Sequence, residues 1–157
     1  KGVPLDAVRV DYAAGAVERE LLNASGQNDV LLIEGQGALC HPAASANLAL
    51  MRGSMPTHLL MCHRAGQTAI RMQPWAAIPN LKELIELYES LASCCGTFIR
   101  PVTLGVALNT SHLEDSEARK ACDACEMETG LPVTDPVRFG CGRLIERLLN
   151  AAQKSAD

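Results

Sequence analysis

The feature that most restricts this chain is an alternation. Short apolar runs, each too short for a stable helix, are separated by longer stretches with helical spacing. The apolar runs are "NDVLLIE" (28–34), "THLLMCH" (57–63), "RPVTLGVALNTS" (100–111) and "LPVTDP" (131–136). The first two read as strands buried on both faces, and the third is long enough to cross a sheet. Strands separated by helices require crossover connections. The expectation is therefore a three-layer α/β fold, a mainly parallel sheet covered on both sides.

The helical stretches carry their own start and stop signals. Residues 4–25 open with Asp6 placed to cap or to sit in the first turn, and repeat apolar residues at Leu5, Val8, Ala16, Val17, Leu21 and Leu22. A short Ala/Leu helix over 42–53 stops at Gly53. The clearest helix, 78–96, has Asn80 at the cap, Leu81, Leu84, Ile85, Tyr88 and Leu91 on one face, and Gly96 as the stop. Another spans 111–130 and ends at Gly130, and a closing helix covers 138–153.

Composition narrows the partners. Aromatic residues make up 3% of the chain and the net charge is -4. Single-strand nucleic-acid binding needs stacking platforms, and phosphate backbones call for a basic surface, so nucleic acid is excluded as a partner. No apolar run approaches the roughly 18 residues of a membrane span. No charged start precedes a leader-like apolar block, and the odd count of seven cysteines suits reduced thiols, so the reading places the protein in the cytoplasm. Cys122 and Cys125 form a C-x-x-C without a second ligand pair and sit in a helical pattern, so they read as packing residues, as do Cys94 and Cys95. The chain begins with Lys1, not Met, so its true start is expected upstream.

In a parallel sheet the ligand crevice lies beyond the carboxyl ends of the strands. The residues there are Glu34-Gly35-Gln36-Gly37, His63-Arg64-Ala65-Gly66-Gln67-Thr68, Asn109-Thr110-Ser111 and Asp135-Pro136-Val137-Arg138. Polar residues collect at exposed strand ends in any case, yet four such sets on one edge favour a site for a small-molecule substrate. Within "DVLLIEGQGALCHP", an apolar run delivers Glu34 into a glycine-rich bend. An acid so placed can hold magnesium, which takes one or two carboxylates plus phosphates. Gly35 and Gly37 would let backbone approach phosphate oxygens.

"DAVRVDYAAGAVE", "DVLLIEGQGALCHP", "LMCHRAGQT", "VALNTS" and "GLPVTDPVR", in this order, resemble the carboxyl-terminal P-loop domain of one family. That family was long catalogued as a domain of unknown function and includes N-acetyl-D-glutamate synthetases, that is, D-amino-acid N-acetyltransferases. The resemblance covers nearly all of the chain, with "EGQG-x-L-x-HP" its most specific piece. A more distant likeness is to dethiobiotin synthetase, an ATP-dependent ligase that also ends a strand in Glu-Gly. These likenesses imply that Glu34 is the metal-side acid. They place Gly35, Gln36 and Gly37 by a nucleotide-like cofactor, acetyl-coenzyme A or ATP with Mg²⁺, and Asn109, Asp135 and Arg138 where its base would sit. The phosphate cradle itself, G-x-x-x-x-G-K-[ST], is absent, since no Gly-Lys dipeptide occurs in the chain. By resemblance that loop lies upstream of residue 1, behind a further α/β domain. Residues 1–157 are thus expected to be the distal portion of one P-loop domain.

Each site residue keeps two readings. His41 either donates to phosphate or exchanges protons, or it is a helix-entry histidine packed on its loop. His63 and Arg64 either serve an acidic substrate or form a surface pair, and Gln67, Thr68 and Arg71 join them as substrate contacts. Glu34 and His41 are the first candidates for the chemistry. The expected function is acetyl transfer to a D-amino acid in a longer protein. An ATP-dependent ligase and a non-catalytic interaction fragment are the alternatives. P-loop topology would leave 30–34 and 58–62 flanking a missing central strand. Those edges would close on each other, pair across a homo-oligomer, or take strands from a companion chain.

Overall fold

The structure, a computed structural model, describes residues 2–35 and 37–154, with the side chains of all of these save Asp6 and Lys154. Two compact units make it up, Lys1–Pro56 and Thr57–Asp157.

In the first unit a 3-10 turn at Leu5–Ala7 precedes α1 (Val10–Ser25), and α2 (Ala46–Ser54) follows. The helix expected from residue 4 begins only at Val10, because Val8 is extended (φ -95, ψ 133) and breaks the helical path. Leu5, Ala13 and Val17 are buried together, with Leu21, Ala49 and Leu50 packed around them. Gly53, read as a stop, lies inside α2 instead. A Cβ there would stand 2.3 Å from the Ala14 carbonyl oxygen and 2.6 Å from Val17 Cβ. Its bare backbone is what lets α1 and α2 approach so closely. The stop is Met55, left-handed at φ 42, whose N–H donates to the Met51 carbonyl.

Residues 30–34 form no strand, contrary to expectation. A strand exists through ladder bonds to a neighbour, and 30–34 belongs to no ladder among the described residues. Leu32 is accordingly 87% exposed.

The second unit contains β1 (His58–Arg64), β2 (Ala69–Ile70), β3 (Gln73–Ala77), α3 (Leu81–Ser93), β4 (Val102–Asn109), α4 (Asp115–Thr129), β5 (Val133–Thr134) and α5 (Gly142–Lys154). Its main sheet has the order β1-β4-β5 with both pairings parallel. Leu59 pairs with Thr103 and Leu60 with Gly105, so Leu104 is an extra residue that bulges β4. Below the bulge, Val106 and Leu108 meet Leu81, Leu84 and Ile85 of α3 and Cys122 and Cys125 of α4 in one buried cluster. The opposite face of β4 receives α5: a Cβ on Gly105 would lie 2.5 Å from Leu144 Cδ2 and 2.6 Å from the Pro132 carbonyl oxygen. Helices on both faces of a parallel sheet make three layers, as the alternation implied.

The details correct several expectations. β1 is not buried on both faces: Met61 packs on the core, while Leu60 is 47% exposed and Cys62 is exposed. Cys122 and Cys125 do pack in the core, and burial pushes the Cys125 thiol up to about 11. Cys94 and Cys95 do not pack. Both are exposed and left-handed (φ 48 and 55), and together with Gly96 (φ 101) they turn the chain out of α3. Asn80 caps α3 as expected, its Oδ1 accepting from Glu83 N–H at 2.8 Å. The antiparallel hairpin β2–β3 was not foreseen.

Gly105 and Gly15 offer opposite tests of this packing. Gly105→Ala must push a methyl into backbone and Leu144, and should destabilise by about 1–3 kcal/mol. Gly15 lies within α1 with nothing within 4 Å of a Cβ. Gly15→Ala should stabilise by roughly 0.5–1 kcal/mol. Urea denaturation of the two variants measures both signs.

Candidate functional site

The parallel strands of the second unit end together at Arg64, Asn109 and Thr134. The polar sets that follow them therefore share one edge of the sheet. Ala65 N–H donates to the Asn109 carbonyl at 3.0 Å, carrying the β1–β4 ladder one step past the strand end.

Asp135 organises this edge. It is 4% exposed, and its two carboxylate oxygens accept four hydrogen bonds. One oxygen takes the Thr110 N–H (2.9 Å) and hydroxyl, and the other takes the N–H groups of Val137 (3.0 Å) and Arg138 (3.1 Å). Burial alone pushes the carboxyl up, but the Thr110 hydroxyl and amide and the two loop amides outweigh it and hold it below its ordinary range. The Arg138 guanidinium donates to Asp115 and to the Leu113 carbonyl, fixing the entry into α4. Both residues are thus committed to internal bonds. Asn109 is exposed, with Oδ1 accepting from Ser111 N–H at 3.0 Å. Thr110, read from sequence only as part of the polar set after its strand, completes this network with Leu113 and Asp115, which were not singled out. The Asp135-to-Arg138 spacing resembles an Asx-type turn and was the available signal.

After β1, Gly66 (φ 71) closes a turn in which Gln67 N–H donates to the Arg64 carbonyl at 3.2 Å. The Gln67 side-chain amide donates to the Ala69 carbonyl at 3.1 Å, and the Thr68 carbonyl accepts from Ile78 N–H at 2.9 Å. Arg64 and Arg71 are exposed, Arg71 at the β2–β3 turn, and neither is in an ion pair among the described residues. His63 is half-buried. Burial lowers its pKa, opposed by the Glu128 charge and a backbone hydrogen bond with Gln67.

In the first unit Glu34 and Gly35 are exposed, and Gln36 lies outside the described residues. Gly37 is left-handed (φ 73), and a Cβ on it would stand 2.8 Å from Ala44 Cβ, so two demands require glycine there. The His41 Nδ1 accepts from Ala43 N–H at 3.1 Å. With Nδ1 accepting, the donor left on the ring is Nε2–H. Gly37, Ala38, His41, Ala43, Ala44, Ser45 and Ala46 line a cavity of about 330 Å³. No group of three or more His, Cys, Asp or Glu positioned for a metal occurs among the described residues. Glu34 fits magnesium only as one ligand, with phosphates and water supplying the rest.

Residues 1–145 match the family described as "Domain of unknown function (DUF1611_C) P-loop domain". The chain belongs to that family. A D-glutamate N-acetyltransferase from Tritonibacter scottomollicae is 39% identical over 149 residues, which are 94% of this chain and 44% of that protein. A second protein of that name, from a Pseudoalteromonas species, is 32% identical over 148 residues, again 94% of this chain and 44% of the relative. The crystal structure of a DUF1611 family protein from Anabaena variabilis superposes with a TM-score of 0.93 at 49% identity, covering 96% of this chain and 44% of that one. The chain thus spans less than half the length of these relatives, and its α/β fold is that of a P-loop domain. Among the described residues no helix is long and apolar enough to cross a membrane.

The lowered pKa of His63 has a definite sign. The folded state resists protonation more than the unfolded chain does, so His63 contributes stability that is present above about pH 6.5 and lost as pH falls through its folded pKa. NMR titration of the His63 ring should give a midpoint below the ordinary histidine value, and a midpoint above it would contradict the burial seen here.

Proposed function

We propose that this domain serves, within a longer protein, an N-acetyltransferase that moves acetyl from acetyl-coenzyme A to the amine of a D-amino acid such as D-glutamate. The observation that carries the reading is likeness along 94% of the chain to two proteins named D-glutamate N-acetyltransferase. A P-loop domain suits the phosphorylated adenosine end of the coenzyme, which is a nucleotide. The lysine-bearing phosphate loop would come from sequence upstream, so residues 1–157 alone are expected to be inactive. The odd count of cysteines that suggested reduced thiols supports a cytoplasmic location.

The reaction sets the roles. The substrate ammonium must lose a proton, its nitrogen then bonds the thioester carbon, and the C–S bond breaks to release a thiolate that is protonated. Exposed Glu34 is the candidate proton acceptor, and it would also contribute one ligand to a magnesium ion that neutralises phosphate charge when bound. His41, whose Nδ1 already accepts from Ala43 N–H, is better suited to donate from Nε2–H to a negative oxygen than to take a proton. Arg64 and Arg71, both exposed and without ion-pair partners among the described residues, suit the substrate carboxylates. The second reading is an ATP-dependent ligase like dethiobiotin synthetase, with which a P-loop domain is also compatible.

The test is thiol release from acetyl-coenzyme A with D-glutamate, run on the whole polypeptide beside an ATP hydrolysis assay. Acetyl transfer without ATP consumption is expected, and Glu34→Gln should lower kcat by roughly 10²–10⁴-fold while leaving the fold intact. ATP hydrolysis without acetyl transfer would replace this reading with the ligase.

A further inference from the structure

The stretch "DAVRVDYAAGAVE" belongs neither to the strand-end edge nor to the Gly37 bend. It runs from the 3-10 turn at Leu5–Ala7 into α1. Between α1 and the segment ahead of it lies an open groove of about 580 Å³, wholly within the first unit. That volume suits a small molecule. Val3 and Val8 give the groove an apolar wall, and Asp11, Tyr12, Gly15, Arg19 and Glu20 line it along α1. Gly15 is the unexpected member. A glycine inside a helix is destabilising relative to alanine. Gly53 is required by the close approach of α1, but a Cβ on Gly15 would meet nothing within 4 Å. What its bare backbone provides is room in the groove.

The polar groups of the groove are open to a ligand. The Asp11 carboxylate and the Tyr12 hydroxyl have no hydrogen-bond or ion-pair partner among the described residues. Arg19 approaches Glu20 at 3.7 Å through Nε, too far for a hydrogen bond. Those two opposite charges lie side by side and offset each other, which leaves Asp11 as the uncompensated charge. A carboxylate beside an aromatic ring and an apolar wall suits an organic ammonium group. We infer that the groove holds the ammonium group of an amino acid on Asp11 and Tyr12, with one of its carboxylates on Arg19. Asp11 and Arg19 stand about 12 Å apart along α1, at 1.5 Å of rise per residue. The long arginine side chain leans back toward the helix N-terminus, so an amino acid with an extended acidic side chain bridges the two. Resting on the acetyl-transfer reading, this makes the groove the seat of the amine acceptor. Acetylation turns the ammonium into a neutral amide, which removes the charge that Asp11 holds and favours release of the product.

The experiment is calorimetry on the whole polypeptide with three probes. They are D-glutamate, glutarate (both carboxylates and no amine) and N-acetyl-D-glutamate. D-Glutamate is expected to bind at least about tenfold more tightly than either of the others. Gly15→Leu fills the groove with a better helix former and should abolish D-glutamate binding while keeping or raising the thermal midpoint. Asp11→Asn, at an exposed position, should weaken D-glutamate by about 10–100-fold, level with glutarate, and serves if the Gly15 variant does not fold. No D-glutamate binding by the parent, equal binding of glutarate, or unchanged D-glutamate binding in the variants would overturn the groove as an amine site. Thiol release from acetyl-coenzyme A on the same preparations separates the two readings. Binding lost in Gly15→Leu, with no acetyl transfer by the parent, leaves the groove standing and removes the acetyltransferase. Acetyl transfer by the parent, with Gly15→Leu at the parent KM for D-glutamate, removes the groove alone.

Discussion

A buried carboxylate holds the second unit's functional edge together. Asp135 stands at the end of a strand of only two residues, β5, which could not fix the following loop by ladder bonds alone. An ionised carboxylate removed from water is destabilising unless donors surround it. Four donors do, two from Thr110 at the end of β4 and two from the loop that Asp135 itself begins. Arg138, held in that loop, then reaches Leu113 and Asp115 and sets where α4 starts. One side chain thus links the ends of two strands to the start of a helix, and the exposed groups of the edge are carried on that frame.

That arrangement divides labour among polar residues that look alike in sequence. Asp135 and Arg138 spend their polar atoms internally, whereas Arg64 and Arg71 stay exposed and open to a ligand. The first unit shows the reverse pattern around α2. There the buried Asn47 amide meets no acceptor among the described residues, and His41 borders a cavity.

Much of the fold was legible because it rests on local rules. The apolar face of α3, its Asn80 cap and the Gly130 end of α4 follow from spacing and capping, and the structure has all three. What was misread depends on partners distant in sequence. Residues 30–34 have the composition of a strand but lack a ladder, and composition cannot supply one. Leu60 and Cys62 are as apolar as Met61, yet on β1 Met61 packs on the buried cluster while the other two are exposed. The β2–β3 hairpin was hidden because Met72, not glycine or asparagine, takes the left-handed turn position (φ 65), and Pro74 lies within β3. At the site, the polar strand ends were legible as a set. The roles of Asp135 and His41 were not, because they depend on Thr110 and on the Ala43 amide.

The most direct test of this account is a double-mutant cycle on Thr110 and Asp135, read by equilibrium denaturation at neutral pH. Thr110→Val and Asp135→Asn should each destabilise the protein. Together they should cost less than their sum, with a coupling of about 1–3 kcal/mol, because each breaks the same buried contact. Strict additivity, or an Asp135→Asn variant as stable as the parent, would contradict the claim that this carboxylate holds the edge in place.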